Sequence, residues 1–222
     1  MARLLYCVSL ITQEPTRDLI GVGEQPVGLH DCAGLRVYCS DVANPETLFE
    51  GASGKAAEGR YRQVLRDLVG VTTVIAFPFP ALVEDEAAVD KLVAEQRAVT
   101  AEALTRLAGM IQYELSASWA EDESVDLGKP VSGAEYLKRR QQAEARVAAT
   151  DTKLRSVTAG IVVEWRAKQE RRNRLWYALL RLSDRERFIA ALRSAGPSEG
   201  VRLRLSGPWP PSEFAGPGTS LR

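Results

Sequence analysis

Only one histidine, His30, stands in this chain of 222 residues, so imidazole chemistry has to be built on it or not at all. It has no second histidine and no cysteine cluster at zinc spacing, and nothing nominates a serine for a Ser/His/Asp arrangement. Cys7, Cys32 and Cys39 are odd in number and lack metal-ligand spacing; Cys7 and Cys39 fall in apolar runs and read as buried free thiols. Gly51-Ala52-Ser53-Gly54-Lys55 has the residue types of a phosphate-binding loop without its spacing, and Ala56 follows the lysine where Ser or Thr would hold magnesium. Gly21-Val22-Gly23 is too short for a dinucleotide fingerprint. Glu121, Asp122, Glu123 and Asp126 lack the order of a calcium loop and read as a solvated acidic loop. The expectation is no intrinsic catalysis, no cofactor and no tightly held metal.

Composition points the same way. Lys+Arg and Asp+Glu balance at 29 each, which argues against a broad nucleic-acid or anionic-membrane surface. A hydrophobic fraction of 45% and a charged fraction of 26% are those of an ordinary globular protein. At this length a chain buries about 70% of its unfolded surface, so no staple is needed. No window reaches a membrane-spanning length, and the apolar stretch before Thr12-Gln13-Glu14 is too short for a signal peptide. The expected location is the cytoplasm. Lys138, Arg139, Arg140, Arg166, Lys168, Arg171, Arg172 and Arg174 make the second half locally basic. The aromatic motif that stacks bases on an RNA-binding sheet is absent, so a solvated face is the better reading.

The elements that would carry these residues follow from periodicity. Residues 4–11 are a continuous apolar run, a central strand; 27–30 and 35–39 are short strands around a Gly-containing turn. Residues 45–54 read as loop. Tyr61, Val64, Leu65 and Leu68 form a helical stripe ended by Gly70. Residues 71–77 read as a strand stopped by Pro78 and Pro80, and Glu84-Asp85-Glu86 opens a helix that ends at Gly109. Residues 110–119 alternate, with Ile111, Tyr113, Leu115 and Ala117 on one face. Ser132 and Glu135 form a capping box for a helix to about Ser156, and Ser183 and Glu186 a second one. Residues 161–165, 175–182 and 201–205 read as strands, with a helix continuing through 161–165 as the alternative there; the last is stopped by Gly207 and the prolines after it. The fold class is therefore α+β with two domains: an N-terminal α+β domain over 1–108 and a ferredoxin-like domain over 109–214, βαββαβ with helices on one face of an antiparallel sheet. Residues 215–222 read as a flexible tail.

Three stretches carry a resemblance. The last strand runs into Gly207-Pro208-Trp209-Pro210-Pro211-Ser212-Glu213-Phe214, Gly133 to Arg140 reads G-x-x-Y-L-x-x-R, and residues 173–182 precede Arg187-Phe188. Together these resemble the gas vesicle protein GvpF/GvpL family, whose closing motif is G-P-W-P-P-Y-S-F. The likeness covers residues 110–214, about half the chain. Ser212-Glu213 replaces the usual Tyr-Ser, and Phe77-Pro78-Phe79-Pro80 stands where a P-L-R-F-G-T-like turn is usual.

The resemblance implies a non-enzymatic assembly factor or minor structural component of gas vesicles, with the small hydrophobic shell protein and other accessory proteins as partners. The motif residues it nominates are Gly133, Tyr136, Leu137, Arg140, Gly207, Pro208, Trp209, Pro210, Pro211 and Phe214. From the residues alone, a ligand-sensing or RNA-binding ferredoxin-like module is the alternative. Trp209 and Phe214 read either as side chains pinning the closing segment to its own domain or as a stiff partner surface.

Overall fold

In the computed structural model, residues 2–11, 18–119, 133–170, 173–194 and 201–216 are described. Among them are eight strands and four α-helices, with the strands in two four-stranded sheets. The chain forms two compact units, one of residues 1–112 with 207–222 and one of residues 113–206. The closing segment thus groups with the N-terminal unit, whereas the sequence reading ended the second domain with it.

The first sheet holds β1 (Ala2–Leu10), β2 (Gly28–Cys32), β3 (Leu35–Val42) and β4 (Ile75–Val83) in the order β2-β3-β1-β4. The apolar run in β1 makes it an interior strand, buried from Leu4 to Ser9. It is antiparallel to β3 on one side and to β4 on the other. The β2–β3 turn is two residues long, with Ala33 at φ 51° and Gly34 at φ 82°. Positive φ at both centres gives the twist that strands joined so tightly require. Helix α1 (Gly51–Leu68) buries Ala57, Tyr61, Val64, Leu65 and Leu68 as one stripe. It begins inside the span expected to be loop, because tertiary packing outweighs the poor helix propensity of Gly51 and Gly54. Helix α2 (Glu86–Arg106) opens on Asp85, whose carboxylate accepts from the Ala88 N–H at 2.8 Å.

Strand β4 runs through Pro78 and Pro80, which were expected to stop it. Two features reconcile prolines with a strand. β4 is an edge of the sheet, and the register jumps from Leu5↔Ala81 to Cys7↔Ala76. The residues between Ala76 and Ala81 bulge away from the ladder, so their missing N–H groups are not needed there. Tyr61 on α1 fills the gap. Its ring stacks on Tyr6 at 5.3 Å and meets Phe79 at 5.1 Å, and its hydroxyl donates to the carbonyls of Tyr6, at 2.9 Å, and of Phe77.

The second sheet holds β5 (Met110–Trp119), β6 (Val162–Glu170), β7 (Asn173–Arg181) and β8 (Val201–Trp209) in the order β6-β7-β5-β8. The alternation expected for β5 holds, with Ile111, Tyr113, Leu115 and Ala117 all buried. β7 is interior and buried from Leu175 to Leu180. β8 continues past the expected stop and includes Pro208; as an edge strand it has a side on which no N–H is needed. Helices α3 (Gly133–Val157) and α4 (Arg185–Ser194) complete the unit. The Trp176 indole donates to Asp151 of α3 at 2.9 Å, and Tyr113 meets Phe188 of α4 at 5.2 Å. The acidic loop of 121–130 and Ser132 lie outside the described residues, as does the Glu135 side chain.

Burial holds the Tyr61 hydroxyl well above its ordinary 10.0 and the Cys7 thiol well above 9.0. The unfolded chain releases those protons near the ordinary values while the folded chain keeps them. Stability is therefore complete below about pH 9 and falls as pH climbs higher. Tyr61→Phe leaves two buried carbonyls without their donor and should cost about 1–3 kcal/mol at neutral pH. Urea unfolding across the alkaline range should also show a shallower decline in this variant, since one of the two groups has gone.

Candidate functional site

The closing motif folds back on the first unit. β8 runs to Trp209, and Pro210 and Pro211, both buried, set the direction into a short 3-10 turn at Ser212–Phe214. Hydrogen bonds with β4, with α2 and with Gln112 fasten it. The Ala76 N–H of β4 donates to the Ser212 hydroxyl at 2.9 Å, and the Glu213 N–H donates to the Gln112 side-chain oxygen at 3.1 Å. The Arg106 guanidinium, in the last turn of α2, donates to the carbonyls of Phe214 at 2.7 Å and Ala215 at 3.4 Å. Phe214 is fully buried.

Trp209 differs from Phe214. It is half-buried, with the Arg66 guanidinium carbon 4.5 Å from the ring centroid and that of Arg62 at 5.7 Å. Both arginines lie on α1, so the indole is held by its face against cations. The two aromatic residues that the sequence pairs therefore do different things. Phe214 anchors the segment, and Trp209 forms part of its outer surface. Gln112 carries no motif signal in the sequence, and Ser212 stands out there only as a departure from the family's closing motif. Gln112 stands on the polar face of an alternating strand and is nonetheless buried, because its side chain satisfies a backbone donor arriving from far along the chain.

The second unit exposes apolar side chains. Leu137 on α3 and Val163 on β6 are each 57% exposed, and Leu203 and Leu205 on β8 each 39%. The V-R-L-R-L alternation was read as a half-buried strand; Arg202, Leu203, Arg204 and Leu205 are all exposed. Gly133 opens α3, and Leu137 lies one turn on. The side chains of Tyr136 and Arg140 lie outside the described residues.

A separate cluster forms among residues that have no metal-ligand spacing along the chain. His30 and Cys32 alternate on one face of β2, and Asp90 reaches them from the second turn of α2. One donor atom from each lies within 4.8 Å of the other two, and His30 Nε2 is 2.8 Å from Asp90 Oδ1. Burial, then Asp90 and Asp31, push the Cys32 thiol up to about 11, so it is neutral at physiological pH. No linear pattern could have found the cluster, because Asp90 is brought in by the packing of α2.

Known proteins are similar over nearly the whole chain. The family model described as gas vesicle synthesis protein GvpL/GvpF matches residues 2–216. Gas vesicle protein L of a Streptomyces species is 28% identical over 226 aligned positions, covering 90% of this chain and 80% of that protein. The crystal structure of gas vesicle protein GvpF from an Anabaena species superposes with a TM-score of 0.73 at 16% identity, covering 97% of this chain and 96% of the other. That of GvpF from Microcystis aeruginosa gives 0.73 at 15% identity, covering 97% and 99%. At such identities the structural likeness establishes the fold.

Phe214→Ala should destabilise the first unit by about 3–5 kcal/mol, as deletion of a buried aromatic ring does. Trp209→Ala should cost less, about 1–2 kcal/mol, because stacking on exposed cations is weaker than core packing. Chemical denaturation of both variants checks the order. An equal or larger loss at Trp209 would make the indole the anchor.

Proposed function

Because the chain belongs to the gas vesicle synthesis protein GvpL/GvpF family, with a role in gas vesicle formation, we propose that it acts by contacting the small hydrophobic shell protein, as an assembly factor or a minor structural component. The observation that carries this reading is the match over residues 2–216, which spans both compact units and the closing motif. Other gas vesicle accessory proteins are the further partners it implies. We also read the second unit as ferredoxin-like. The element order β5-α3-β6-β7-α4-β8 and the strand order β6-β7-β5-β8 support that arrangement.

The proposed contact surface is on the second unit. A subunit destined for a gas-facing wall must keep apolar surface covered until it is placed, so a helper needs exposed apolar groups of its own. Leu203 and Leu205 on β8 supply them, with Leu137 at the start of α3 beside the motif positions Gly133, Tyr136 and Arg140 in sequence. Pro210, Pro211 and Phe214 are buried and act indirectly, by fixing the closing segment. In this reading the arginines alternating with the leucines orient the partner, and apolar burial holds it.

Capture of the purified small shell protein should therefore persist from low salt to about 1 M, where exposed ion pairs are screened. Leu203→Glu with Leu205→Glu should weaken capture by roughly a hundredfold or more, the equivalent of losing two apolar contacts. Complete loss of wild-type capture at high salt would assign the contact to charged side chains and overturn the apolar reading.

A further inference from the structure

We propose that His30, Cys32 and Asp90 form a binding site for a zinc-class divalent cation that ties the edge strand β2 to helix α2. The three side chains offer nitrogen, sulfur and oxygen, the mixed donor set that borderline-soft zinc accepts and that hard calcium and magnesium do not. The fold brings them together from two separate elements. His30 and Cys32 are two apart on one strand and so face the same way, while Asp90 comes from a helix 58 residues beyond Cys32 in the sequence.

The spacing suits the ion. A tetrahedral zinc separates its donor atoms by about 3.3–3.6 Å. Here the three donors already lie within 4.8 Å of one another, with the imidazole and carboxylate at 2.8 Å. Rotation of Asp90, whose side chain is 57% exposed, can open the short distance and admit the ion. His30 is 16% exposed, so its ring is held in place by packing before any ion arrives. Asp31 is not a ligand in this site: Arg36 holds both its oxygens, at 2.7 and 2.8 Å. Three protein ligands leave a fourth position for water or a donor from a partner. As the sulfur–metal bond forms, the Cys32 thiol gives its proton to solvent, with no change of oxidation state.

Metal-free protein in a non-chelating buffer, titrated with cobalt(II) as a spectroscopic stand-in, should bind one equivalent. It should develop a thiolate-to-cobalt charge-transfer band together with the intense visible bands of four-coordinate cobalt, and zinc should displace them. Cys32→Ser should abolish the charge-transfer band. His30→Ala and Asp90→Asn should each weaken binding by roughly tenfold or more. Asp90 is exposed, so Asp90→Asn keeps the fold and guards against misreading an unfolded variant. Absence of saturable one-to-one binding to wild-type protein, or a charge-transfer band unchanged in Cys32→Ser, would overturn the proposal.

Discussion

The first unit depends on how a break in its sheet is sealed. Between Ala76 and Ala81, β4 leaves the ladder, and β1 passes Tyr6 through the same gap. Backbone groups exposed by a bulge inside a core must find partners, or each costs a desolvation penalty of about 1–3 kcal/mol. The Tyr61 hydroxyl supplies the donor for two of them, and its ring fills the space between Tyr6 and Phe79. The helix α1 is thereby fixed in both rotation and height against β1 and β4. The same helix then presents Arg62 and Arg66 to Trp209, so the seating of the closing segment follows from a tyrosine packed in the core.

Edges set the second constraint. An open strand edge carries the hazard of pairing with other chains. β4 meets it with Pro78, Pro80 and a covering segment: the Ala76 N–H donates to Ser212, far along the chain. β8 is the corresponding edge of the other sheet, with Pro208 at its end and exposed Arg202 and Arg204 along it. Charges spaced by apolar residues discourage a second copy from adding edge to edge while leaving the leucines accessible. A prolyl closing motif thus has a structural rationale in this chain that needs no partner.

Local pattern gave much of the fold, and it failed where long-range contacts decide. Alternation in β5, the apolar runs of β1 and β7, the α1 stripe and the glycine stops after α1 and α2 were all readable, because each depends on residues within one element. Prolines were read as strand terminators, but β4 and β8 retain them, since position in a sheet is invisible to a single strand's sequence. Packing made helix of residues 51–54, where composition said loop. In the site, the motif's proline stiffness and aromatic pair were legible. Which ring is buried was not, because that depends on Arg62, Arg66 and Arg106 arriving from other elements. The approach of Asp90 to His30 and Cys32 was hidden for the same reason.

Zero net charge bears on how such a protein can work. With no long-range field to steer encounter, association proceeds at the ordinary rate for orienting two patches, and affinity is set by how slowly the complex falls apart. Slow dissociation requires desolvated apolar contact, which a free monomer must expose at some risk of self-association. Three of the large aromatic side chains, Trp176, Phe188 and Phe214, are committed inward and fully buried. Among the described residues of the second unit, the large apolar side chains most open to solvent are aliphatic: Leu137, Val163, Leu203 and Leu205. Exposed aliphatic groups of this kind bind through contact area, and each engagement of so few side chains is weak on its own.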